Sequence, residues 1–495
     1  MASPSDDIPS ITPPQPYKIH FDQADIDQFH RKVQDARLPA APLYPGLPLD
    51  KRDGGAAAEF NPKAFPTLER MKNMLEKWKN KDFKAMEDEL NQYPHYTTKV
   101  DWCDQLHFLH QPSTRPSAIP LLLCHGWPGS FKEFLSVLKP LAEPEDPDAQ
   151  AFHVVAPSMP GYTFSSPAPT PELGKFTAIA RLYDGLMTGL GYTRYGVQGG
   201  DWGSIVAREV ARRSRADGTG CRACHLNFLP MLPTPLGKTV SGALLVMPEW
   251  ATLAVGKYMF DAECYRALEK SLLYVHHGSV YYTVQANRPS QLGFGCIDSP
   301  VALLGWMSYF TMGLNVKEDS EERGPDRRKG EKGAIETFFP NYETLNIDWL
   351  LDEAWLYWVT SSIATSFRSY SDNEHLLEFI TNSKYKIHVP FAYSGFPDEI
   401  IDAPLRWVGK YGNVSDLRWY AKAPTGGHMA AAERPELFVK HLRAAFAPGG
   451  IDAVSTPGGP KSSFGPNGDK GAIFTEGSIW RKGGLWDDER RKGER

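Results

Sequence analysis

One aspartate in the sequence stands in a setting that favours nucleophilic chemistry. The segment GGDWG at 199–203 places Asp201 between an apolar run predicted to be a strand and a segment predicted to be a helix. Small residues around one reactive side chain are typical of a nucleophile elbow, a sharp turn that holds the side chain above a sheet. Glycines suit that strained turn and the close packing of helix on strand. The alternative is an ordinary turn stabilised by an aspartate hydrogen bond.

A carboxylate in this position predicts displacement at a saturated carbon rather than attack on a carbonyl. Asp201 would form an alkyl-enzyme ester, which activated water would then cleave at the enzyme's own carboxyl carbon. The candidate oxyanion donors are the backbone N–H groups of Trp202 and of Trp127, which lies in HGWP at 125–128 after a buried strand. Taken alone, HGWP is also compatible with an ordinary Gly/Pro turn. The Trp127–Pro128 bond is a candidate cis peptide.

A histidine and an acid that could assist this nucleophile follow later in the chain. His428, in GGH at 426–428, follows the last predicted strand and could activate water. A nearby acid would hold its ring in the correct tautomer. Asp398 and Glu399 both follow another predicted strand, and the local pattern leaves the choice between them open. The order nucleophile, acid, histidine favours a catalytic role over surface positions for these residues.

The segments that carry these residues belong to an alternating pattern of strands and helices. Apolar runs predict strands at 100–110, 118–124, 151–157, 195–198, 224–229, 386–394 and 417–423. Helical spacing predicts helices at 22–38, 65–79, 131–141, 176–190, 202–213 and 429–446. This alternation indicates a mostly parallel α/β sheet. Between 231 and 385 the alternation stops, and a mostly helical, aromatic-rich segment is how a cap over an active site appears in sequence.

The predicted organisation is one catalytic unit with an insertion and two disordered ends. The predicted segments are a disordered N terminus at 1–16, an N-terminal extension at 17–115, the α/β core at 116–230 and 386–447, the helical cap at 231–385 and a disordered tail at 448–495. The charged run at 317–332 is expected to be a solvated loop within the cap.

Composition and charge argue against several other classes of protein. The chain has 495 residues and a formal net charge of -5, which gives no reason to expect nucleic acid or an anionic membrane as a partner. The first residues show neither a signal peptide nor an anchor, so a soluble, cytoplasmic protein is expected. The 6 cysteines are scattered. Cys221, Cys224 and His225 match the spacing of a haem attachment site, but a core strand is the favoured interpretation. No cofactor and no metal ion are expected.

Together these motifs resemble the microsomal-type epoxide hydrolases and their soluble fungal relatives. The resemblance extends from Tyr17 to Phe446 and is specific because it combines several segments. They are FDQADIDQFHRKVQDARLP at 21–39, HGWPGS at 125–130, GGDWG at 199–203 and GGHMAAAERPEL at 426–437. The resemblance implies an α/β-hydrolase fold with a mostly parallel central sheet, a helical cap domain and an N-terminal extension.

The resemblance also implies roles for residues that the local patterns leave open. In the family the acid stands fourth in an F-P-x-[DE] segment, which gives Glu399 rather than Asp398. The family uses two cap tyrosines to hold the epoxide oxygen, and these correspond to Tyr281, rather than Tyr282, and to Tyr370. A phenol with an ordinary pKa near ~10 can hydrogen-bond or protonate the alkoxide that develops during ring opening.

The sequence therefore predicts an epoxide hydrolase that converts an apolar epoxide and water to a vicinal diol through an ester on Asp201. A haloalkane dehalogenase shares the fold and the aspartate nucleophile, and the indoles of Trp127 and Trp202 could bind its halide. A non-catalytic hydrolase-fold ligand-binding protein is the second alternative, although such proteins usually lack at least one catalytic residue. By family analogy the enzyme would act in detoxification and could form a homodimer.

Overall fold

The computed structural model describes residues 8–43, 66–231, 249–308, 347–373, 379 and 382–446. The charged run predicted to form a surface loop at 317–332 lies outside the described residues, and so do the tail at 448–495 and residues 1–7. Within the described part of the chain, none of the helices combines the length and apolar character that a bilayer span requires.

Nine strands of the described chain form one sheet in the order β1-β2-β3-β5-β4-β6-β7-β8-β9. The strands are β1 (Gln15–Pro16), β2 (His95–Val100), β3 (Cys103–Gln111), β4 (Ile119–Cys124), β5 (Phe152–Pro157), β6 (Arg194–Gly199), β7 (Gly220–Leu226), β8 (Phe391–Gly395) and β9 (Leu417–Lys422). Strands β4 to β9 pair in parallel, whereas β1, β2 and β3 add to the edge of β5 in antiparallel pairs. The predicted α/β fold with a mostly parallel sheet is confirmed.

Helices flank the sheet and form the segment between β7 and β8. The α-helices in the described residues are α1 (Gln23–Gln34), α2 (Leu68–Lys79), α3 (Phe83–Leu90), α4 (Leu135–Ala142), α5 (Phe176–Gly189), α6 (Asp201–Ala211), α7 (Glu249–Met259), α8 (Ala262–Leu273), α9 (Val280–Asn287), α10 (Pro289–Asp298), α11 (Pro300–Met307), α12 (Ile347–Val359), α13 (Ile363–Ser366), α14 (Arg368–Ser371), α15 (Leu405–Tyr411), α16 (Ala430–Glu433) and α17 (Pro435–Phe446). A turn of π-helix, Tyr274–Gly278, joins α8 to α9.

The central strands are buried along their whole length, which explains their unbroken apolar sequences. Every residue of β4 (IPLLLC) and β5 (FHVVAP) is buried. Parallel strands need crossover helices, and helices on both faces exclude water from both sides of the sheet. The strand order reverses at β4, which lies between β5 and β6. In open α/β sheets a ligand site forms at such a reversal, beyond the carboxyl ends of the strands.

The first described residues differ from the disorder expected for residues 1–16. Residues 8–16 are placed against the fold: Ile11 bridges to Val100 and β1 pairs with β2. Pro9 is buried and packs against Gly185 of α5. The prediction of disorder is therefore wrong for residues 8–16. Pro16 lies in β1 at the edge of the sheet, where its missing N–H removes no necessary hydrogen bond. The sheet also crosses the boundary predicted at 115/116, since β2 and β3 precede it.

The helix predicted at 429–446 is two helices in the structure. Helix α16 ends at Glu433 and α17 begins at Pro435, with Arg434 in a non-helical conformation between them. Proline lacks an N–H and disfavours helical backbone in the residue before it, which explains the break. The cysteine-rich segment lies in β7, where Cys221, Cys224 and His225 are all buried, as expected for a core strand.

Aromatic side chains join the N-terminal extension to the long helix α12. Phe83 of α3 stacks on Trp355 at 3.7 Å between ring centroids, and Phe29 of α1 meets the same indole edge-on at 5.4 Å. Aromatic pairs of this kind contribute about 0.5–1.5 kcal/mol each beyond the area that they bury. The extension thereby supports α12 and, through it, the helices α13 and α14 that follow in the chain.

Candidate active site

Asp201 lies at the turn between β6 and α6 in a conformation that few non-glycine residues adopt. Its φ is 44°, in the left-handed region, which costs on the order of 1–3 kcal/mol and persists only where the surroundings enforce it. The turn is tight enough to require glycine at 203, because a Cβ there would lie 2.0 Å from the carbonyl oxygen of Cys124. The geometry is that of the predicted nucleophile elbow.

The sheet register explains why the loop after β4 meets this elbow. Cys124 and Gly199, the last residues of β4 and β6, are paired neighbours, so the loops that follow them leave the sheet side by side. The Trp127 N–H donates to Asp201 Oδ1 at 2.6 Å, and the Trp127–Pro128 bond is cis, as predicted. Gly126 leaves room for the carboxylate, since a Cβ at this position would lie 1.9 Å from Asp201 Oδ1.

The loops after β8 and β9 bring the predicted histidine and acid to the same edge. Gly395 and Lys422, which end these strands, are also paired neighbours. His428 Nε2 lies 2.8 Å from Asp201 Oδ2, and His428 Nδ1 lies 2.5 Å from Glu399 Oε1. The three side chains form one hydrogen-bonded series in the order Glu399, His428, Asp201.

Asp398 occupies a different place from its neighbour Glu399. Its backbone N–H donates to Gly426 O at 3.0 Å, and this contact connects the loop after β8 to the loop after β9. Glu399 is buried and its Oε1 accepts both the imidazole and the Ile400 N–H, the latter at 2.7 Å. Of the two carboxylates, the structure places that of Glu399 against His428.

The two carboxylates determine the protonation of His428. Burial disfavours the imidazolium, but Glu399 and Asp201 outweigh burial and raise the pKa of His428 well above its ordinary value. The raised pKa favours the imidazolium, which can donate to both carboxylates. Any event that removes the charge of Asp201 removes part of this stabilisation.

Two predicted tyrosines, Tyr281 of α9 and Tyr370 of α14, lie over the elbow. Their rings are 6.0 Å apart and nearly perpendicular. Tyr281 stacks on the Trp127 ring at 5.9 Å, and Tyr370 contacts the Trp202 ring edge-on at 4.8 Å. Both tyrosines are buried, and burial raises the pKa of each hydroxyl well above its ordinary value. At neutral pH both are neutral phenols that can donate a hydrogen bond.

The two predicted tryptophans contribute different groups to the site. The Trp127 indole N–H donates to Ser366 Oγ at 3.1 Å, so this indole is already engaged. The Trp202 indole N–H lies against the Tyr370 hydroxyl and lowers its pKa, although the opposing effect of burial is larger. The Trp202 backbone N–H is the second of α6 and belongs to the helix start, where amides have no intrahelical acceptor.

A third tyrosine near the site, Tyr274, was missed at the level of sequence. Its hydroxyl oxygen lies 2.7 Å from that of Tyr281. Tyr274 precedes Tyr281 by seven residues, which is two helical turns, and residues at that spacing share one helix face. Because a π-helical turn, Tyr274–Gly278, separates the two tyrosines, this spacing was only a weak signal.

Two buried glutamates near the histidine and a third beside one of them were also missed. We call Glu133, Glu353 and Glu433 the buried acid cluster. Burial raises the pKa of Glu353 and of Glu433 to about 8 and that of Glu133 well above its ordinary value. Glu433 Oε1 accepts the Met429 N–H at 2.8 Å, next to His428. The cluster is therefore mostly uncharged at neutral pH, and only Asp201 and Glu399 contact the imidazole as acids.

Metal ligands were not found in the part of the chain that the structure describes. No group of three or more histidine, cysteine, aspartate or glutamate side chains is arranged there to hold an ion. The six cysteines are all buried and unpaired.

Comparison with known proteins shows the family of the chain. Residues 14–134 match the family described as epoxide hydrolase N terminus, and residues 119–282 match the alpha/beta hydrolase fold. The chain is 30% identical to epoxide hydrolase 1 of Sus scrofa over 441 residues, 87% of either protein. It is also 30% identical to juvenile hormone epoxide hydrolase of Bombyx mori over 442 residues, covering 86% of this chain and 85% of the relative.

A solved structure extends the similarity to three dimensions. The epoxide hydrolase of Aspergillus niger superposes with a TM-score of 0.65 at 28% identity, covering 88% of this chain and 96% of that one. The sequence motifs, the sheet topology and the relatives lead to one conclusion: this chain belongs to the epoxide hydrolase family, with an α/β-hydrolase fold.

Proposed function

We propose that this protein hydrolyses an apolar epoxide to a vicinal diol through a covalent ester on Asp201. The observation that carries the proposal is the hydrogen-bonded series from the Trp127 N–H through Asp201 and His428 to Glu399. Two buried phenols, Tyr281 and Tyr370, lie over the nucleophile of that series. A nucleophile, a base with its orienting acid, and donors for a leaving oxygen are the parts that ring opening and ester hydrolysis require.

In the first step Asp201 Oδ2 attacks one oxirane carbon and the bond from that carbon to oxygen breaks. Oδ1 already accepts the Trp127 N–H, so it becomes the ester carbonyl oxygen without moving from its donor. The departing oxygen takes a proton from Tyr281 or Tyr370. Because burial disfavours a phenolate, the phenol regains a proton, and the imidazolium of His428 is its source.

Formation of the ester prepares His428 for the second step. His428 is neutral once it has given its proton to the phenol, and the uncharged ester no longer contributes to the raised pKa of the imidazole. Neutral His428, oriented by Glu399, takes a proton from water, and the resulting hydroxide attacks the Asp201 carboxyl carbon. The oxyanion is stabilised by the N–H groups of Trp127 and Trp202. One hydrogen of the water ends on the diol and the other on His428, which restores the starting state.

The test compares purified wild type with Asp201→Ala on aryl and alkyl epoxides and on chloro- and bromoalkanes, following diol and halide separately. Diol formation by wild type that disappears in the variant supports the proposal. Halide release without diol would instead identify a dehalogenase. Absence of both products across the panel would contradict an enzymatic role and favour ligand binding.

The covalent step has its own test in His428→Gln. This variant should accumulate the ester and gain the mass of one substrate molecule, whereas the double variant Asp201→Ala/His428→Gln should gain none. In a single turnover in ¹⁸O-water, the label should enter the Asp201 carboxylate and not the diol, because water attacks the carboxyl carbon. Label found in the diol would mean that water opens the epoxide directly.

A further inference from the structure

The hydroxyl of Tyr274 lies 2.7 Å from the hydroxyl of Tyr281, and the proposed mechanism of ring opening leaves this contact without a role. We propose that Tyr274 is a positioning residue that donates to Tyr281 and strengthens Tyr281 as the donor to the epoxide oxygen. The inference rests on the proposed function and adds a third phenol to the two tyrosines that contact the leaving oxygen.

The single hydrogen on each phenol determines the direction of this hydrogen bond when substrate is bound. A phenol carries one hydrogen and can accept through its oxygen. If Tyr281 directs its single O–H at the epoxide oxygen, the hydrogen between the two phenols must belong to Tyr274. The pair then forms a chain, Tyr274 to Tyr281 to epoxide, in which each bond polarises the next.

The electrostatics of Tyr281 show why such a donor matters. Burial is the largest cause that raises the pKa of Tyr281, and Tyr274, Tyr370 and Asp201 act in the same direction, with Tyr281 as the donor to Tyr274. An epoxide that takes the Tyr281 hydrogen must reverse this hydrogen bond. Negative charge that develops on the Tyr281 oxygen during proton transfer therefore needs a local donor, and a hydrogen bond to a charged oxygen is stronger than one to a neutral oxygen. The Tyr274 hydroxyl lies within reach of that oxygen.

The second cap phenol has a corresponding neighbour. Tyr370 faces the Trp202 indole N–H, which lowers the pKa of its hydroxyl against burial. Each phenol over Asp201 thus has a polar neighbour, the Trp202 indole for Tyr370 and the Tyr274 hydroxyl for Tyr281.

The position of Tyr274 in the chain suits an orienting role. It begins the π-helical turn Tyr274–Gly278, directly before the helix that carries Tyr281. A π turn changes the angular spacing of side chains, and such turns occur frequently at functional sites. Both tyrosines belong to one short stretch of the cap, so the contact between them does not depend on the alignment of distant segments.

The experiment is a double-variant cycle read by stopped-flow with an epoxide that wild type turns over. Alkylation and ester hydrolysis are measured separately for wild type, Tyr274→Phe, Tyr281→Phe and the double variant. We expect Tyr274→Phe to slow alkylation roughly tenfold, the size of a hydrogen bond to a charged group, and to leave ester hydrolysis unchanged. The double variant should alkylate no more slowly than Tyr281→Phe alone, because Tyr274 acts through Tyr281.

The matched control is Tyr420→Phe in β9, which removes a hydroxyl that donates to the backbone oxygen of Ala403. It should retain wild-type rates for both steps. An alkylation rate unchanged in Tyr274→Phe, an equal loss in both steps, or additive losses in the double variant would each overturn the inference. If wild type forms no ester with any epoxide, the proposed function fails and the role of Tyr274 with it. A lower melting temperature for Tyr274→Phe with unchanged alkylation would mean that Tyr274 is only structural.

Discussion

Replacement of Glu399 by glutamine tests the coupling between the acid and the histidine. Glu399 Oε1 lies 2.5 Å from His428 Nδ1, and both side chains are buried. Glutamine keeps the size and one acceptor oxygen but removes the charge that stabilises the imidazolium. Under the proposed mechanism the imidazolium forms when His428 takes a proton from water, so the loss should appear in ester hydrolysis.

The expected magnitude follows from the burial of this contact. A hydrogen bond to a charged group contributes about 1.5–3 kcal/mol, which corresponds to roughly 10- to 150-fold in a rate constant. The contact is shielded from solvent, since the side chains of His428 and Glu399 are 0% and 1% exposed. Alkylation requires the Asp201 carboxylate rather than a proton transfer from water, so its rate should change less than the hydrolysis rate.

The assay is a stopped-flow measurement that resolves the two steps, followed by mass spectrometry of the protein at steady state. Glu399→Gln should slow hydrolysis by the stated factor and raise the fraction of ester-bearing protein. The matched control is Asp398→Asn, whose backbone contact with Gly426 is retained. It should change hydrolysis by no more than about 2-fold, as substitutions away from a buried network usually do.

The opposite pattern would refute the assignment. If Asp398→Asn abolished hydrolysis and Glu399→Gln turned over at the wild-type rate, Asp398 would be the acid in solution. That result would also require the loop after β8 to rearrange, because Asp398 is only half-buried there and makes a backbone bridge to Gly427.

Two further predictions concern the elbow and the buried acid cluster. Gly203→Ala should prevent folding or lower the melting temperature sharply, since its Cβ would lie 2.0 Å from a backbone oxygen. The control is Gly295→Ala, which should be neutral because no atom lies within 4 Å of its Cβ. Equal melting temperatures for the two variants would contradict the close packing at Gly203. Burial raises the pKa of Glu433 from 4.5 to about 8. Between these two pH values the folded protein keeps a proton that the unfolded chain has lost, so the free energy of unfolding falls as the pH rises. Glu433→Gln should reduce the loss of unfolding free energy between pH 6 and pH 8 by about 2 kcal/mol, measured by urea unfolding at each pH. An unchanged pH dependence would mean that Glu433 is ionised in the folded protein.

The parts of the fold that could be predicted are those in which local pattern and burial coincide. The unbroken apolar runs of β4 and β5 belong to strands covered on both faces, and the glycines of the elbow are required by distances within one turn. In contrast, β1 has two exposed residues and β2 is only partly buried. Their place in the sheet depends on pairing with distant segments, which periodicity does not encode.

The candidate site could be predicted only partly for the same reason. Asp201 and His428 stand in glycine-bearing turns with recognisable motifs, but neighbouring residues after a strand point in different directions. The distinction between Asp398 and Glu399 depends on how the loop after β8 turns, and the sequence alone left it open. Tyr274 was missed because its partner lies across a π-helical turn, and the composition of the cap offers many other tyrosines.

The protonation of the buried carboxyl groups explains how one histidine can serve both steps of the proposed reaction. The buried acid cluster is held mostly neutral by burial, so the imidazolium of His428 is paired with Asp201 and Glu399 alone. Alkylation neutralises Asp201 and leaves Glu399 as the one remaining carboxylate in contact. A single carboxylate against full burial supports the imidazolium less than two do, so loss of the Asp201 charge makes His428 a better base when an ester is present to be hydrolysed.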